Sequence, residues 1–138
     1  MAIKYPPDVG AILLCDFRNT IEPEMCKKRP VVVLASVAPY LCIVAPFSTS
    51  DPEEQMPWHC LVNTPKPLPE PYDSKVHWVK GDMVSTVSFE RLTVPHKGKD
   101  RDGNRIHVKI RLSEGEMDQV RKCILSAIAP NYLDRNKE

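Results

Sequence analysis

Glu22-Pro23-Glu24-Met25-Cys26-Lys27-Lys28-Arg29-Pro30-Val31-Val32-Val33-Leu34 fastens a dense polar loop to an apolar run. Two carboxylates and three cations fall between Glu22 and Arg29, and β-branched or apolar side chains follow at once. Val31 to Leu34 suit a buried strand. Pro30 removes one amide donor and pushes Arg29 toward extended backbone, so Arg29 is expected at the entrance of that strand. A plainer arrangement fits the same residues: a solvated loop in which Glu22 and Glu24 neutralise Lys27, Lys28 and Arg29.

Working outward, Ala11 to Phe17 reads as a first strand after the turn cluster Pro6-Pro7-Asp8-Val9-Gly10. The second strand runs from Val31 to about Val37. Ala38-Pro39-Tyr40 is too short for a helix, so Leu41 to Ala45 should return antiparallel beside it. These three strands form the expected middle of a sheet. Pro46 to Pro52 follows as a hydroxyl-rich segment, and Trp58 to Val62 as a short strand with His59 and Leu61 on one face. Pro65 to Pro71 has proline at every second position, which suits a polyproline-like surface loop.

Val76 to Val79 and Met83 to Phe89 flank Lys80-Gly81-Asp82, where the glycine predicts a bulge or a close backbone approach. Leu92-Thr93-Val94 and Ile106 to Leu112 read as further strands joined through the turn signal Asp102-Gly103. In the second of these, Ile106, Val108, Ile110 and Leu112 should face in, and His107, Lys109 and Arg111 out. Ser113-x-x-Glu116 is a capping box, and Met117, Val120, Ile124, Ala127 and Ile128 recur at helical spacing before Pro130. Short strands with one terminal helix predict a mainly β fold, a small bent barrel or half-barrel, in a single domain over residues 1–138.

Composition narrows the function classes. With 19 Lys+Arg against 18 Asp+Glu the net charge is +1, so any polyanion site must be a local patch. Five cysteines, an odd number with no C-x-x-C pair, read as free thiols of a reducing compartment. The first ten residues lack the apolar stretch of a signal peptide, and no run approaches a membrane span, so a cytoplasmic location without membrane association is expected.

The four histidines stand far apart, no His/Cys pair has structural-zinc spacing, and no P-loop, dinucleotide fingerprint or Gly-x-Ser-x-Gly elbow occurs. Neither a metal nor another cofactor is expected. What remains is a set of polar residues at strand ends: Glu24, Lys28, Arg29, Ser48, Thr49, His59, Lys80 and Asp82. An arginine beside a hydroxyl, with carboxylates and an imidazole nearby, is what cleavage of RNA by its own 2′-hydroxyl requires. The protein then supplies a base, an acid and donors for charge developing on phosphate. Taken singly, Ser48, Thr49 and Asp82 equally suit turn capping and His59 a packed or surface imidazole.

Several segments together resemble one known family. They are Pro7-Asp8-x-Gly10, Ile12-x-x-x-Asp16-Phe17, Glu24, Lys28 through Leu34, Val44-Ala45-Pro46-x-Ser48-Thr49-Ser50, and Trp78 through Ser88 with Arg91-Leu92. In order and content they are similar to the MazF/PemK toxins of bacterial toxin–antitoxin modules, across nearly the whole chain. The resemblance implies an SH3-like barrel, a homodimer, and metal-independent cleavage of single-stranded RNA to 2′,3′-cyclic phosphate and 5′-hydroxyl ends. It also implies a cognate antitoxin with a flexible acidic segment, and contact with operator DNA only through that antitoxin. By the same resemblance Arg29 is the catalytic arginine, Ser48 or Thr49 the hydroxyl, and Glu24 an acidic group near the phosphate. Lys80 and Asp82 match a basic and an acidic position. Two alternatives share the fold: a toxin that binds DNA gyrase without cutting, and an inactive nucleic-acid-binding barrel.

Overall fold

The computed structural model describes residues 2–74 and 76–132. In chain order the strands are β1 (Ile12–Asp16), β2 (Lys28–Ser36), β3 (Leu41–Ser48), β4 (His59–Asn63), β5 (Val76–Lys80), β6 (Ser85–Ser88), β7 (Leu92–Thr93), β8 (His96–Lys99) and β9 (Arg105–His107). Helix α1 (Glu114–Ile128) closes the described chain. The first seven strands make one antiparallel sheet in the order β4-β5-β3-β2-β1-β7, with β6 also on β3, and β8 and β9 pair only with each other. The sheet is open and strongly bent, because β3 shares its outer edge between two partners. Its first half holds β6, and Phe47 and Ser48 hold β5.

Alternation along the central strands feeds two cores. Ile12, Val32, Ala45 and Phe47 point to one side, where Val79, Ile110, Leu112 and the Met117, Val120 and Cys123 stripe of α1 complete a cluster. Leu13, Cys15, Val31, Val33, Cys42 and Val44 point to the other, against Val87, Phe89 and Leu92. Each fully buried aliphatic side chain contributes roughly 1.5–3 kcal/mol, so burial on both faces fixes the register of β1 to β3.

The helix starts as its capping box predicts: the Ser113 hydroxyl accepts from Glu116 N at 3.2 Å. The Glu116 carboxylate instead accepts from Asn63 N at 3.3 Å, tying α1 to β4. Ile128, at the far end of the expected stripe, is exposed.

Four expectations need correction. β2 begins at Lys28 rather than Val31, since Lys28, Arg29 and Pro30 pair with Asp16, Cys15 and Leu14 of β1. Pro30 is tolerated because the β2–β3 ladder stops at Val31–Pro46, which leaves it on a stretch with one neighbour. Second, Gly81 sits in a 3-10 turn over Gly81–Met83, not a bulge, although the close approach is real. Its N–H donates to Trp58 O at 2.8 Å, and a Cβ there would lie 2.8 Å from both that oxygen and Cys123 Sγ.

Third, the expected strand from Ile106 to Leu112 is broken. β9 ends at His107, and only Arg111 continues the pairing, as a bridge to Ala11. Ile110 and Leu112 are buried but Ile106 is exposed, because the β8–β9 hairpin pairs with itself and covers nothing. Lastly, the loop from Pro65 to Pro71 does more than lie on the surface. Leu68 is buried in the α1-side core, and the Tyr72 hydroxyl just beyond donates to Lys28 O at 2.9 Å.

Candidate functional site

The site is set by the point where β2 and β3 separate. Their ladder ends at Val31–Pro46; beyond it β2 keeps β1, with Arg29 opposite Cys15, while β3 keeps β5, with Ser48 opposite Trp78. Extending the β2–β3 register two residues past its last pair puts Arg29 and Ser48 at corresponding positions on the two parting strands. Period-two alternation from the Val31–Pro46 pair puts both side chains on the same face.

That face continues sideways. Trp78 lies opposite Ser48 on one side and Leu61 on the other, and one row along Lys80 lies opposite His59. His77 and Val79, between these positions, point into the core. The half-buried Trp78 donates its indole N–H to the Asp51 carboxylate at 2.8 Å, which fixes the segment leaving β3. Leu61 is exposed beside it.

Among the described residues no hydrogen bond or ion pair engages the Arg29 guanidinium, and its Nε is buried without a partner. A buried donor left unsatisfied costs about 1–3 kcal/mol, so the arginine is not placed there for the stability of the free chain. The Ser48 hydroxyl is buried, accepts from Ser50 N at 3.2 Å and only weakly reaches Ser50 O at 3.4 Å. Thr49 follows as the first exposed residue past the strand. His59 accepts from Met56 N through Nδ1 at 3.1 Å, which leaves Nε2 to carry the proton of the neutral ring.

The remaining sequence candidates stand apart from this row. Lys28 is exposed and, by alternation, on the opposite face from Arg29. Glu24 is exposed on the loop between β1 and β2, and its carboxylate accepts from Ile21 N at 2.8 Å; no contact joins it to Arg29. Asp82 sits in the first turn after β5, exposed. Arg91 braces the Glu24 loop from below, donating to Asp16 O at 2.8 Å and Arg18 O at 3.0 Å. Arg18 grips the Asp16 carboxylate, and that hydrogen-bonded pair holds Asp16 below the usual carboxylate range. Burial pushes the Cys15 thiol, beside Arg29, up to about 12, so it stays protonated and is no nucleophile.

Trp78 and Leu61 were absent from the sequence candidates. The signal was available in the alternation of Val76 to Lys80, which separates His77 and Val79 from Trp78 and Lys80. Among the described residues no group of three or more His, Cys, Asp or Glu is arranged to hold a metal ion. A cleft of about 440 Å³ between the N-terminal segment and Lys109 to Arg111 contains none of the candidate residues.

The chain is similar to known proteins in sequence and in fold. Residues 8–128 match the family model described as PemK-like, MazF-like toxin of type II toxin-antitoxin system. The chain is 33% identical over 112 residues to the putative uncharacterized protein YifN of Escherichia coli, covering 67% of this chain and 75% of that protein. It is similar in structure to MazF from Deinococcus radiodurans, with a TM-score of 0.60 and 17% identity over 91% of this chain and 98% of that one. A mycobacterial endoribonuclease in complex with its cognate antitoxin gives a TM-score of 0.57 and 13% identity, covering 88% and 94%. These likenesses establish the bent-barrel fold. No helix among the described residues is long and apolar enough to cross a membrane.

Proposed function

Because this chain belongs to the PemK-like, MazF-like toxins of type II toxin–antitoxin systems, we propose that it is an endoribonuclease that cuts single-stranded RNA through the substrate's own 2′-hydroxyl. The observation that carries this reading is the Arg29 guanidinium, free of protein partners among the described residues and level with Ser48 where β2 and β3 part. A planar cation of permanent charge suits two phosphate oxygens at once.

The 2′-oxygen attacks phosphorus and gives its proton to a general base, for which Glu24, a loop carboxylate that stands off the row in the free chain, is the candidate. Charge grows on the non-bridging oxygens of the pentacoordinate phosphate, where Arg29 and the Ser48 hydroxyl stabilise it, with Thr49 at the rim. The bond to the 5′-oxygen breaks as His59 Nε2 delivers a proton to it. Products are a 2′,3′-cyclic phosphate and a 5′-hydroxyl, with the nucleophile supplied by the RNA and the proton transfers and charge stabilisation by the protein. Arg29 acts electrostatically, since it cannot deprotonate to serve as a base. Lys80 contacts a phosphate that flanks the cut, Lys28 and Asp82, which stand off the row, meet the RNA farther along, and the half-buried face of Trp78 offers a surface on which a base stacks.

A homodimer and an antitoxin with an acidic segment that occupies the RNA face belong to the same proposal; that the mycobacterial neighbour is in complex with a cognate antitoxin supports the existence of such a partner. The test is incubation of the purified protein with a long single-stranded RNA in EDTA. Cleavage with 2′,3′-cyclic phosphate ends is expected. Intact RNA, or products ending in 3′-hydroxyls, would overturn the proposal.

A further inference from the structure

The hairpin formed by β8 and β9 is built for a partner that the rest of the chain does not provide. From His96 to Arg111 the sequence carries six cations, Lys97, Lys99, Arg101, Arg105, Lys109 and Arg111, against Asp100 and Asp102, in a chain of net charge +1. All six cationic residues are exposed. The ion pairs among the described residues, Arg18–Asp16, Arg121–Glu114 and Lys122–Asp118, lie elsewhere.

One of the two carboxylates is spent inside the arm. Asp100 Oδ1 accepts from Asp102 N and Asn104 N at 2.9 Å each, and Gly103, at φ 80°, closes the tip. The base is held firmly: Val108 N donates to Pro95 O at 2.8 Å, and Pro95 is buried. What results is an ordered ribbon that pairs with no other strand, with β8 flanking the Lys66 to Asp73 loop and like charges crowded together. His96 feels that crowding, since partial desolvation and then the cations of Arg105 and Lys28 hold its ring below the ordinary imidazole range. Six cations against Asp102 on the arm and Glu70 and Asp73 in the cleft beside it leave an excess of positive charge that a polyanion relieves.

Position says which polyanion. Lys28 and His96 line one cleft of about 230 Å³ beside the Tyr72 loop, and Lys28 is the immediate neighbour of Arg29. Lys28, next in sequence to Arg29 though on the other face of β2, thus links the strand that carries Arg29 to the base of the hairpin, with Glu70 as the one carboxylate in the same cleft. An acidic protein segment also needs apolar anchors, and the arm exposes only Ile106. We propose that the β8–β9 hairpin is a basic arm that holds the phosphate backbone of RNA beyond the cut site. It contributes affinity for long substrates and takes no part in the chemistry. This rests on the ribonuclease reading above, and the experiment separates the two.

Binding to a long single-stranded RNA is measured against salt in an Arg29→Ala background, which keeps the RNA intact, with and without Lys97→Gln, Lys99→Gln, Arg101→Gln and Arg105→Gln together. Each lost phosphate contact removes about 0.7 from the slope of log K on log salt. The fourfold variant should therefore be flatter by about 3, and a fourfold rise in salt should cost it roughly 50-fold less affinity than the parent. With Arg29 restored, cutting of a short oligonucleotide confined to the cleavage motif should not change, and the urea midpoint should stay put. The charge-conserving set Lys97→Arg, Lys99→Arg, Arg101→Lys and Arg105→Lys should keep the parent slope. An unchanged slope with normal cutting of long RNA overturns the arm and leaves the ribonuclease standing. A slope lost toward poly-glutamate but kept toward RNA also overturns it, as a protein-docking surface. If the native chain neither binds nor cuts RNA, the ribonuclease reading falls first.

Discussion

Replacing Arg29 by methionine should make the protein more stable and nearly inactive at once. Methionine keeps an apolar stem as far as the Nε position and puts a methyl group in place of the buried Nε that has no partner. An unsatisfied buried donor costs about 1–3 kcal/mol. Because the Arg29 side chain is only half-buried, with Nε as its buried unpartnered atom, the low end applies, a gain of about 1 kcal/mol. For a chain of 138 residues that raises Tm by roughly 4 °C. Losing one donor to charge developing on phosphate costs about 10² to 10³ in kcat, or 2.7–4 kcal/mol of barrier. Urea and thermal unfolding give the first number, and cleavage of end-labelled RNA in EDTA gives the second. An Arg29→Met protein that loses more than about 1 kcal/mol of stability would show the guanidinium to be a structural group, and one that cuts RNA at the native rate would remove it from the chemistry.

Gly81→Ala should cost about 1–3 kcal/mol by overpacking, because the new methyl meets Trp58 O at 2.8 Å and Cys123 C at 3.0 Å, backbone atoms that no rotamer change can move. Adding Cys123→Ala should not restore the urea midpoint, and full recovery would refute this account. His77, 1% exposed and with neither ring nitrogen partnered among the described residues, is held below its ordinary value of 6.5 chiefly by burial. Above pH 6.5 both folded and unfolded chains keep it neutral. Below that, the unfolded chain takes up a proton that the folded one refuses. Stability should then fall with pH by up to about 1.4 kcal/mol per unit until the lower folded pKa is reached. His77→Leu should flatten that limb in urea titrations at graded pH, and an unaltered limb would assign it to other groups. Ser48→Ala should lower cleavage by about 10² or more, whereas Thr49→Ala, on the exposed side of the strand end, should change it little. The reverse ranking in the same assay would move the phosphate donor to Thr49.

Much of this architecture could be read from the chain. Val31 to Leu34, Leu41 to Ala45 and the Ser113 capping box each carry a period or a cap that tertiary packing has no reason to override, and each lies where expected. Packing did override local preference at the ends of elements. Lys28, Arg29 and Pro30 look like loop by composition, yet pairing with β1 makes them strand. Ile106 alternates in phase with Ile110 and Leu112, yet faces solvent, because no periodicity reveals that a hairpin will leave the sheet. At the candidate site, residue types drew attention to Arg29, Ser48, His59 and Lys80. Their common face depends on the registers of three separate strand pairs, which one-dimensional patterns do not contain. Trp78, read only as part of a strand between His77 and Val79, joins the row through the same registers.

The double burial of the central strands leaves a particular pattern of freedom. Side chains in the middle of β1, β2 and β3 answer to two cores at once, so nearly every exchange there is tested by packing. Where β2 and β3 diverge, that supervision ends within two residues. Descendants of this sequence could therefore exchange the groups along the open row, and with them the RNA sequences they select, while the frame that aims those groups stays untouched.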